Sequence, residues 1–147
     1  THDNFDLNTS HVLPAMIRKF HEAKENNNAA VTLWGSGTPM REFLFVDDMA
    51  ASVIFALENV LPEHLYNVGT GVDLTIKELA ELIQKVVGHQ GEIIWDAEKA
   101  DGTPRKLMDV SKMHELGWKH QINLEEGINK TYQWFLENIN NFKEVKM

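Results

Sequence analysis

The sequence predicts an α/β fold in which a small mixed sheet is covered by about five helices. Short β-forming runs alternate with stretches of helical periodicity, and neither long spacers nor internal repeats interrupt them. A chain of 147 residues suits one compact domain, and a domain of that size buries roughly 68–70% of the surface that its unfolded chain exposes. We therefore treat residues 1–147 as a single domain.

Helices are predicted from apolar residues at the spacing i, i+3, i+4, i+7, which places them on one face. Pro14 is compatible with the first predicted helix because it lies in the first turn. The apolar stripes are Leu13, Met16, Ile17 and Phe20; Ala50, Val53, Ile54 and Leu57; Ile76, Leu79, Ile83, Val86 and Val87; and Leu124, Ile128, Tyr132 and Phe135. A further short helix is expected to run up to Leu116, with Gly117 ending it.

Helix ends are marked by capping residues. Thr75 and Glu78 have the capping-box spacing, and Gly88 is placed to end that helix. The expected N-caps of the later helices are Asp47 or Asp48, Thr75, Asp109 or Ser111, and Asn123. The polar tail, residues 138–147, is expected to fray.

Strands are predicted at four short apolar runs. Val31 and Leu33 mark the first and Phe43 and Phe45 the second, with a Gly- and Pro-containing turn between them. Residues 65–68 and residues 92–95 are the third and fourth runs. This sheet is too small for a complete Rossmann domain.

Composition excludes several classes of function. The absence of cysteine excludes disulfides, thiolate metal sites and cysteine nucleophiles within this sequence. With 14 basic and 22 acidic residues the net charge is -8, which repels a nucleic-acid backbone but permits a small anion at a local basic cluster. No apolar run approaches the roughly 18 residues of a membrane span, and no signal peptide is visible. A cytoplasmic enzyme or binding domain is expected.

Two glycine pairs, Gly35-Ser36-Gly37 and Gly69-Thr70-Gly71, each follow a predicted strand. The third glycine of a dinucleotide-binding fingerprint is replaced by Met40 in one and Leu74 in the other, so we interpret both pairs as turns. None of the seven histidines forms an i, i+4 pair, and no metal site is predicted.

Three features are candidates for a functional site, and each has a simpler alternative. Trp34 and Arg41 flank the first turn, where they would face one groove and bind a base and a phosphate, unless Arg41 is a solvated charge. The loop of residues 101–106 would offer Asp101 to a hydroxyl and two bases to phosphate, unless it is an ordinary solvated loop. His11, at the start of the first helix, suits acid–base chemistry, unless it caps the helix or lies free on the surface.

Several motifs together resemble the bacterial GDP-L-fucose synthases, which are extended short-chain dehydrogenases acting on nucleotide sugars. The resemblance covers nearly all 147 residues, in order. The motifs are Asn4-Phe5, Ser10-His11-Val12-Leu13-Pro14-Ala15, Trp34-Gly35-Ser36-Gly37-Thr38-Pro39-Met40-Arg41-Glu42-Phe43, Asn67-Val68-Gly69-Thr70-Gly71, Asp101-Gly102-Thr103-Pro104-Arg105-Lys106 and Tyr132-Gln133-Trp134-Phe135.

The resemblance implies a two-step conversion of GDP-4-keto-6-deoxy-D-mannose, by epimerisation at C3 and C5 and then reduction of the 4-keto group by NADPH. His11 matches the family's epimerisation acid and also a cofactor contact. The matching substrate-side positions are Lys19, Trp34, Arg41, Asp101 and Lys106. Lys19 stands where some relatives carry arginine, which would replace a bidentate contact by a point charge. A homodimer is also implied.

The resemblance is to only part of such an enzyme. The family's glycine-rich NADP loop, its Tyr-x-x-x-Lys pair and its cysteine are absent, and the chain begins with Thr1 rather than Met. We therefore expect a C-terminal, substrate-binding fragment, although a processed terminus would also explain Thr1. The alternatives are a non-catalytic nucleotide-sugar-binding or assembly module and a lobe of another nucleotide-sugar epimerase or dehydratase.

Overall fold

A computed structural model of the chain describes residues 3–7 and 9–139. Five helices and five short strands make up this part of the chain. In chain order they are α1 (Val12–Glu25), β1 (Ala30–Trp34), β2 (Met40–Glu42), α2 (Val46–Glu58), β3 (Asp73–Thr75), α3 (Ile76–Val87), β4 (Glu92–Asp96), β5 (Arg105–Lys106), α4 (Ser111–Glu115) and α5 (Leu124–Asn138).

The α/β class and the five helices agree with the prediction, but the strands form two small sheets rather than one. β1 pairs in parallel with β4, from Ala30 opposite Glu92 to Trp34 opposite Asp96. β2 is the centre of the second sheet, antiparallel to β3 and parallel to β5. Gly35 and Gly37 adopt φ of 80° and 75°, so the chain turns sharply after β1. β2 therefore leaves the first sheet and pairs elsewhere.

The hydrophobic core is built by three helices and the first sheet. α1, α3 and α5 pack together, and β1 lies against α1. The largest fully buried apolar side chains of this core are Phe5, Phe20, Phe135, Ile17, Leu79, Ile83, Ile128 and Val87. The apolar stripes predicted for α1, α3 and α5 thus face this core, while Leu13 and Leu124 lie at its margin.

The predicted caps of α3 and α5 are confirmed. The Thr75 hydroxyl accepts a hydrogen bond from the Glu78 N–H at 3.1 Å, and the Glu78 carboxylate accepts the Thr75 N–H at 2.7 Å. Gly88 ends α3 in the left-handed conformation, with φ of 81°. Asn123 caps α5 through the Glu126 N–H at 2.9 Å.

One predicted strand is shifted and another is absent. The second strand lies at Met40–Glu42, before Phe43 and Phe45, and Phe45 instead is the N-cap of α2. Residues 65–68 form no strand, and the chain becomes extended and paired only at Asp73–Thr75. Both apolar runs had β-forming composition, but a strand also needs a neighbour with free backbone groups, and β2 finds such neighbours only at β3 and β5.

The predicted cap of α2 is also wrong. The helix begins at Val46, so Asp47 and Asp48 lie within its first turn. Asp48 is buried, and its carboxylate accepts the N–H groups of Gln121 and Ile122 at 3.1 and 3.0 Å. The Asp48 carboxylate, predicted as a local cap, therefore holds the distant segment that precedes α5.

The apolar stripe predicted for α2 is present but not buried. Val53, Ile54 and Leu57 are 54, 57 and 83% exposed, and the buried positions of this helix are Asp48 and Ser52. Helical periodicity shows that one face is apolar but cannot show whether anything covers it. We call the apolar face formed by Val46, Met49, Val53, Ile54 and Leu57 the α2 surface.

The remaining predictions concern the last third of the chain. α4 ends as expected, with Gly117 at φ of 99°, but its N-cap is Val110. Asp109 acts one residue earlier by accepting the Ser111 N–H at 3.0 Å. Most of the predicted frayed tail, residues 140–147, lies outside the described residues.

The Glu42 carboxylate holds the second sheet to its flanking loops. Oε1 accepts the N–H groups of Thr70 and Gly71 at 2.6 and 2.7 Å, and Oε2 accepts the Met108 N–H at 3.1 Å. A Cβ at Gly69 would overlap this carboxylate. The chain before β3 and the chain after β5 are thus tied to the same residue of β2.

Replacing Thr75 by alanine should destabilise the fold by about 1 kcal/mol, because one N–H at the start of α3 loses its side-chain acceptor. Urea unfolding followed by circular dichroism measures the change. Thr103→Ala, at an exposed loop position, serves as the matched control. Equal stability of Thr75→Ala and the control would contradict the capping assignment.

Candidate functional site

An exposed tryptophan marks the end of β1. Trp34 is 62% exposed, and the Lys19 ammonium lies 5.4 Å from the centroid of its ring. Lys19 reaches this position from α1 and donates a hydrogen bond to the Thr32 carbonyl at 3.1 Å. Partial burial lowers the pKa of Lys19, as is usual for an ammonium removed from water. The two residues form a flat aromatic surface beside a positive charge.

Lys99 approaches the same ring, which the sequence did not suggest. Its ammonium lies 5.7 Å from the centroid of the Trp34 ring. The loop between β4 and β5, residues 97–104, carries it there from the neighbouring strand. Trp34 therefore has two lysine ammonium groups within cation–π distance.

Arg41 and Lys106 are brought together by strand pairing. They lie opposite each other in the parallel pair of β2 and β5. The Arg41 guanidinium donates to the Met40 carbonyl through Nη1 at 2.6 Å. A Cβ added at Gly102 would lie 3.2 Å from Nη2 of Arg41, so the 97–104 loop passes directly against the guanidinium. This places two basic side chains and the loop in one region.

Asp101 anchors that loop to the turn after Trp34. Its carboxylate accepts the Ser36 N–H at 2.9 Å and the Ser36 hydroxyl at 2.6 Å, and a Cβ at Gly35 would overlap it. The Ser36 hydroxyl also lies 2.7 Å from Thr38 Oγ1. These hydrogen bonds, the hydroxyl first and then the N–H, lower the pKa of Asp101. Each carboxylate oxygen has two acceptor sites, so Asp101 retains capacity for a further donor.

His11 lies in an adjacent cavity. It is the exposed N-cap residue of α1, and its side chain makes no capping hydrogen bond within the described part of the chain. It borders an open, largely apolar cavity of about 430 Å³ together with Phe43, Phe45 and Leu124. A second cavity, of about 250 Å³, contains Lys19 and Trp34, and Val12 lines both. His11 therefore occupies the N-cap position without a side-chain cap, and as an exposed residue it still fits the alternative of a surface histidine.

Ser10 also lines the second cavity. Its Oγ atom is buried and has no hydrogen-bond partner among the described residues. A buried hydroxyl normally finds a partner, because leaving one unpaired costs free energy. From the sequence Ser10 was a possible capping group for the first helix, but the N-cap of α1 is His11.

Comparison with known proteins identifies the relatives of this fold. The model of the NAD dependent epimerase/dehydratase family matches residues 1–69. The chain is 57% identical to the GDP-L-fucose synthase of Escherichia coli, over 97% of this chain and 47% of that protein. It is 56% identical to a probable GDP-L-fucose synthase of Oryza sativa subsp. japonica, over 93% of this chain and 42% of that protein. Over its first 69 residues the chain is therefore similar to the NAD dependent epimerase/dehydratase family, and over almost its whole length it is similar to about half of each of these two relatives.

A solved structure agrees with this similarity. A GDP-L-fucose synthetase from Naegleria fowleri bound to NADP superimposes with a TM-score of 0.89 at 29% identity, covering 97% of this chain and 45% of that one. An NAD(P) cofactor is thus a property of the family. This chain spans about half the length of the curated relatives that it matches.

The structure groups some of the predicted site residues and separates others. The Lys19 ammonium lies near the Trp34 ring, and Arg41 stands opposite Lys106 in the strand register. The loop of Asp101 contacts the turn after Trp34 and the Arg41 guanidinium. His11 stands apart in the neighbouring cavity. Ser36 and Lys99 were missed as individual residues, because the serine stood in a glycine turn and the lysine in a mixed-charge loop. Only a contact with a residue distant in sequence distinguishes Ser36 or Lys99 from the residues next to it.

A metal ion has no candidate site within residues 3–7 and 9–139, where no group of three or more histidine, aspartate or glutamate side chains is placed to hold one. In the same ranges no helix is both long enough and apolar enough to cross a membrane.

The bond from Ser36 to Asp101 leads to a prediction about pH. Because folding lowers the pKa of Asp101, the bond contributes fully above the unfolded value of about 3.9 and is lost as the pH falls through the folded value. Ser36→Ala removes the first cause of the shift and should raise the pKa of Asp101. An NMR titration of the side-chain carboxyl measures it. Asp109, whose pKa is lowered by bonds from Ser111, is an internal control that should not change.

An unchanged pKa of Asp101 in Ser36→Ala would show that the bond does not form in solution. A parallel shift of Asp109 would instead point to a general disturbance of the fold.

Proposed function

We propose that this chain is the nucleotide-sugar-binding part of an NADP-dependent epimerase and reductase that converts GDP-4-keto-6-deoxy-D-mannose to GDP-L-fucose. Residues 1–147 would act as one binding domain within a longer, cytoplasmic, homodimeric enzyme. The observation that carries the proposal is the clustering of an exposed indole with Lys19, Arg41 and Lys106 around one loop. The relatives named GDP-L-fucose synthase support it, since they match almost the whole chain.

The electrostatics of the cluster suit a nucleoside diphosphate. The chain as a whole carries a net charge of -8, so its overall field disfavours an extended polyanion. Lys19 lies beside the Trp34 ring, Arg41 stands opposite Lys106 in the strand register, and the 97–104 loop contacts the Arg41 guanidinium. A diphosphate needs only such a local concentration of donors. An indole face offers a stacking surface for the base.

Each binding residue has a proposed role that follows from its chemistry. Trp34 stacks against the guanine or the ribose, and Lys19 adds a point charge beside it. The Arg41 guanidinium binds phosphate oxygens in a bidentate manner, and Lys106 binds them as a point charge. Asp101, anchored by Ser36, accepts a hydrogen bond from a sugar hydroxyl with its remaining lone pairs.

His11 is proposed as the acid of the epimerisation step. Removal of a proton next to the 4-keto group leaves an enolate, and a proton delivered from the opposite face inverts that carbon. An exposed imidazole at the rim of an open cavity is able to deliver it. The base that removes the first proton is a cysteine in the family resemblance, and this sequence contains none. That step therefore requires residues outside this 147-residue chain.

NADPH supplies the hydride for the second step when it is bound. The residues of this chain do not fit a dinucleotide site, because neither glycine pair continues as the fingerprint and Gly37 is followed by a strand rather than a helix. We propose only one contact between this chain and the cofactor, through His11. The main cofactor site would lie in the part of the longer enzyme that this chain does not include.

The α2 surface supports association with further protein. Five large apolar side chains are exposed side by side on one helix, and such patches usually mark contact surfaces. The relatives are about twice as long as this chain, so their additional residues are the proposed cover.

Binding of GDP by the purified chain is the first prediction of this function. GDP should bind in preference to UDP and change the tryptophan fluorescence, because Trp34 is the most exposed of the four tryptophans. Trp34→Phe should lose most of that signal. Arg41→Ala should weaken binding by about ten- to hundred-fold, the worth of one charge-assisted contact. Arg41→Lys keeps the positive charge but loses the bidentate guanidinium. Its affinity for GDP should therefore lie between those of the wild type and Arg41→Ala.

Failure of both nucleotides to bind a chain with a folded circular dichroism spectrum would count against a complete binding site in this chain. Equal affinity for UDP would favour the lobe of a different nucleotide-sugar enzyme.

The chain by itself should not oxidise NADPH in the presence of the keto sugar, because neither of its tyrosines is followed by lysine four residues later. Absorbance of NADPH follows the reaction. In the longer natural enzyme, His11→Asn should abolish epimerisation while GDP still binds. Turnover by the 147-residue chain would overturn its assignment as the binding part only.

A further inference from the structure

Lys99 has none of the binding roles proposed for its neighbours, yet its position is unusual. Its ammonium lies 5.7 Å from the centroid of the Trp34 ring, and that of Lys19 lies 5.4 Å from the same centroid. Among residues 3–7 and 9–139, neither ammonium forms an ion pair with a carboxylate. In a chain with 22 acidic side chains, two such cations at one exposed ring are available to an anionic ligand.

The loop that carries Lys99 is held on both sides of it. On one side, Asp96 Oδ1 accepts the Glu98 N–H at 3.1 Å, and the Asp96 carbonyl accepts the Lys99 N–H at 3.2 Å. On the other side, Asp101 accepts two hydrogen bonds from Ser36, two residues beyond Trp34. The backbone of Lys99 is thereby fixed beside β1, while its exposed side chain keeps the freedom of its long stem.

A base and an ammonium compete for the face of an indole. An exposed cation–π contact is weak, whereas a hydrogen bond from an ammonium to a phosphate is charge-assisted and stronger. A ligand that brings both a base and a diphosphate therefore allows the ammonium to leave the ring for a phosphate as the base stacks in its place. A nucleoside without phosphate offers no such exchange.

We infer that Lys99 is a further nucleotide-binding residue, whose ammonium leaves the Trp34 ring to contact the diphosphate of the bound GDP-sugar. The inference rests on the proposed function of this site and adds a residue to it. The 97–104 loop, which carries Lys99, also lies against the Arg41 guanidinium at Gly102, so both cations stand on or beside the same loop. Lys99 thus favours nucleoside diphosphates over nucleosides at this ring.

The test compares GDP and guanosine as ligands of the 147-residue chain by calorimetric titration. Lys99→Met removes the charge and keeps an apolar stem, and it should weaken GDP binding by about ten-fold while guanosine binding is unchanged or stronger. Lys99→Arg should remain within about three-fold of the wild type, since it keeps the charge. Lys119→Met makes the same change of charge at an exposed lysine outside the loop and should change neither affinity.

Each other outcome is decisive. GDP binding by the wild type with equal affinity in Lys99→Met overturns the inference alone. Equal weakening of GDP and guanosine in Lys99→Met also overturns it, because the loss would then not depend on phosphate. Absence of GDP binding by the folded wild-type chain counts against a complete binding site in this chain and overturns the inference with it. Circular dichroism of every variant establishes that it is folded.

Discussion

The positions of the basic residues depend on one carboxylate. β2 has three residues, so its backbone ladder alone gives it few hydrogen bonds. Glu42 supplies what the ladder lacks by accepting N–H groups from Thr70, Gly71 and Met108, which lie on the two chain segments flanking the sheet. β3 and β5 are thereby held on opposite sides of β2. The register that sets Arg41 opposite Lys106 follows from this arrangement.

A second constraint acts at the turn that connects the two sheets. β1 and β2 belong to different sheets. In the turn between them, Ser36 donates two hydrogen bonds to the carboxylate of Asp101, which lies in the 97–104 loop. Gly35 is required there because a side chain would collide with the carboxylate and because its φ is positive. The loop then contacts Arg41 through Gly102 and extends Lys99 over Trp34. The hydrogen bonds between Asp101 and Ser36 therefore hold basic side chains in one region of an acidic protein. Such a region suits a small anion and not a polymer.

Sequence patterns predicted the structure best where the hydrogen-bonding partners are close in sequence. The capping box of α3, the glycine end of that helix and the asparagine cap of α5 involve residues close in sequence, and all three form. Prediction failed where the partner is distant. Asp48 resembles a cap locally but binds N–H groups more than 70 residues away, and residues 65–68 have strand composition without a neighbouring strand. The α2 surface has correct periodicity and no cover within the described chain.

The sequence by itself determined the helices of the core and most of their caps, because short-range sterics, capping and periodicity are encoded within a few residues. The binding-site candidates came from residue type and, for Lys19, from the family resemblance alone. Tertiary structure alone decided that the strands form two sheets, that His11 opens into a cavity beside the Trp34 cluster, and that Ser36 and Lys99 join the site. The contacts that link Ser36 to Asp101 and Trp34 to Lys99 span about 65 residues. No local pattern specifies such a contact, since it exists only once the core has fixed where the two segments meet.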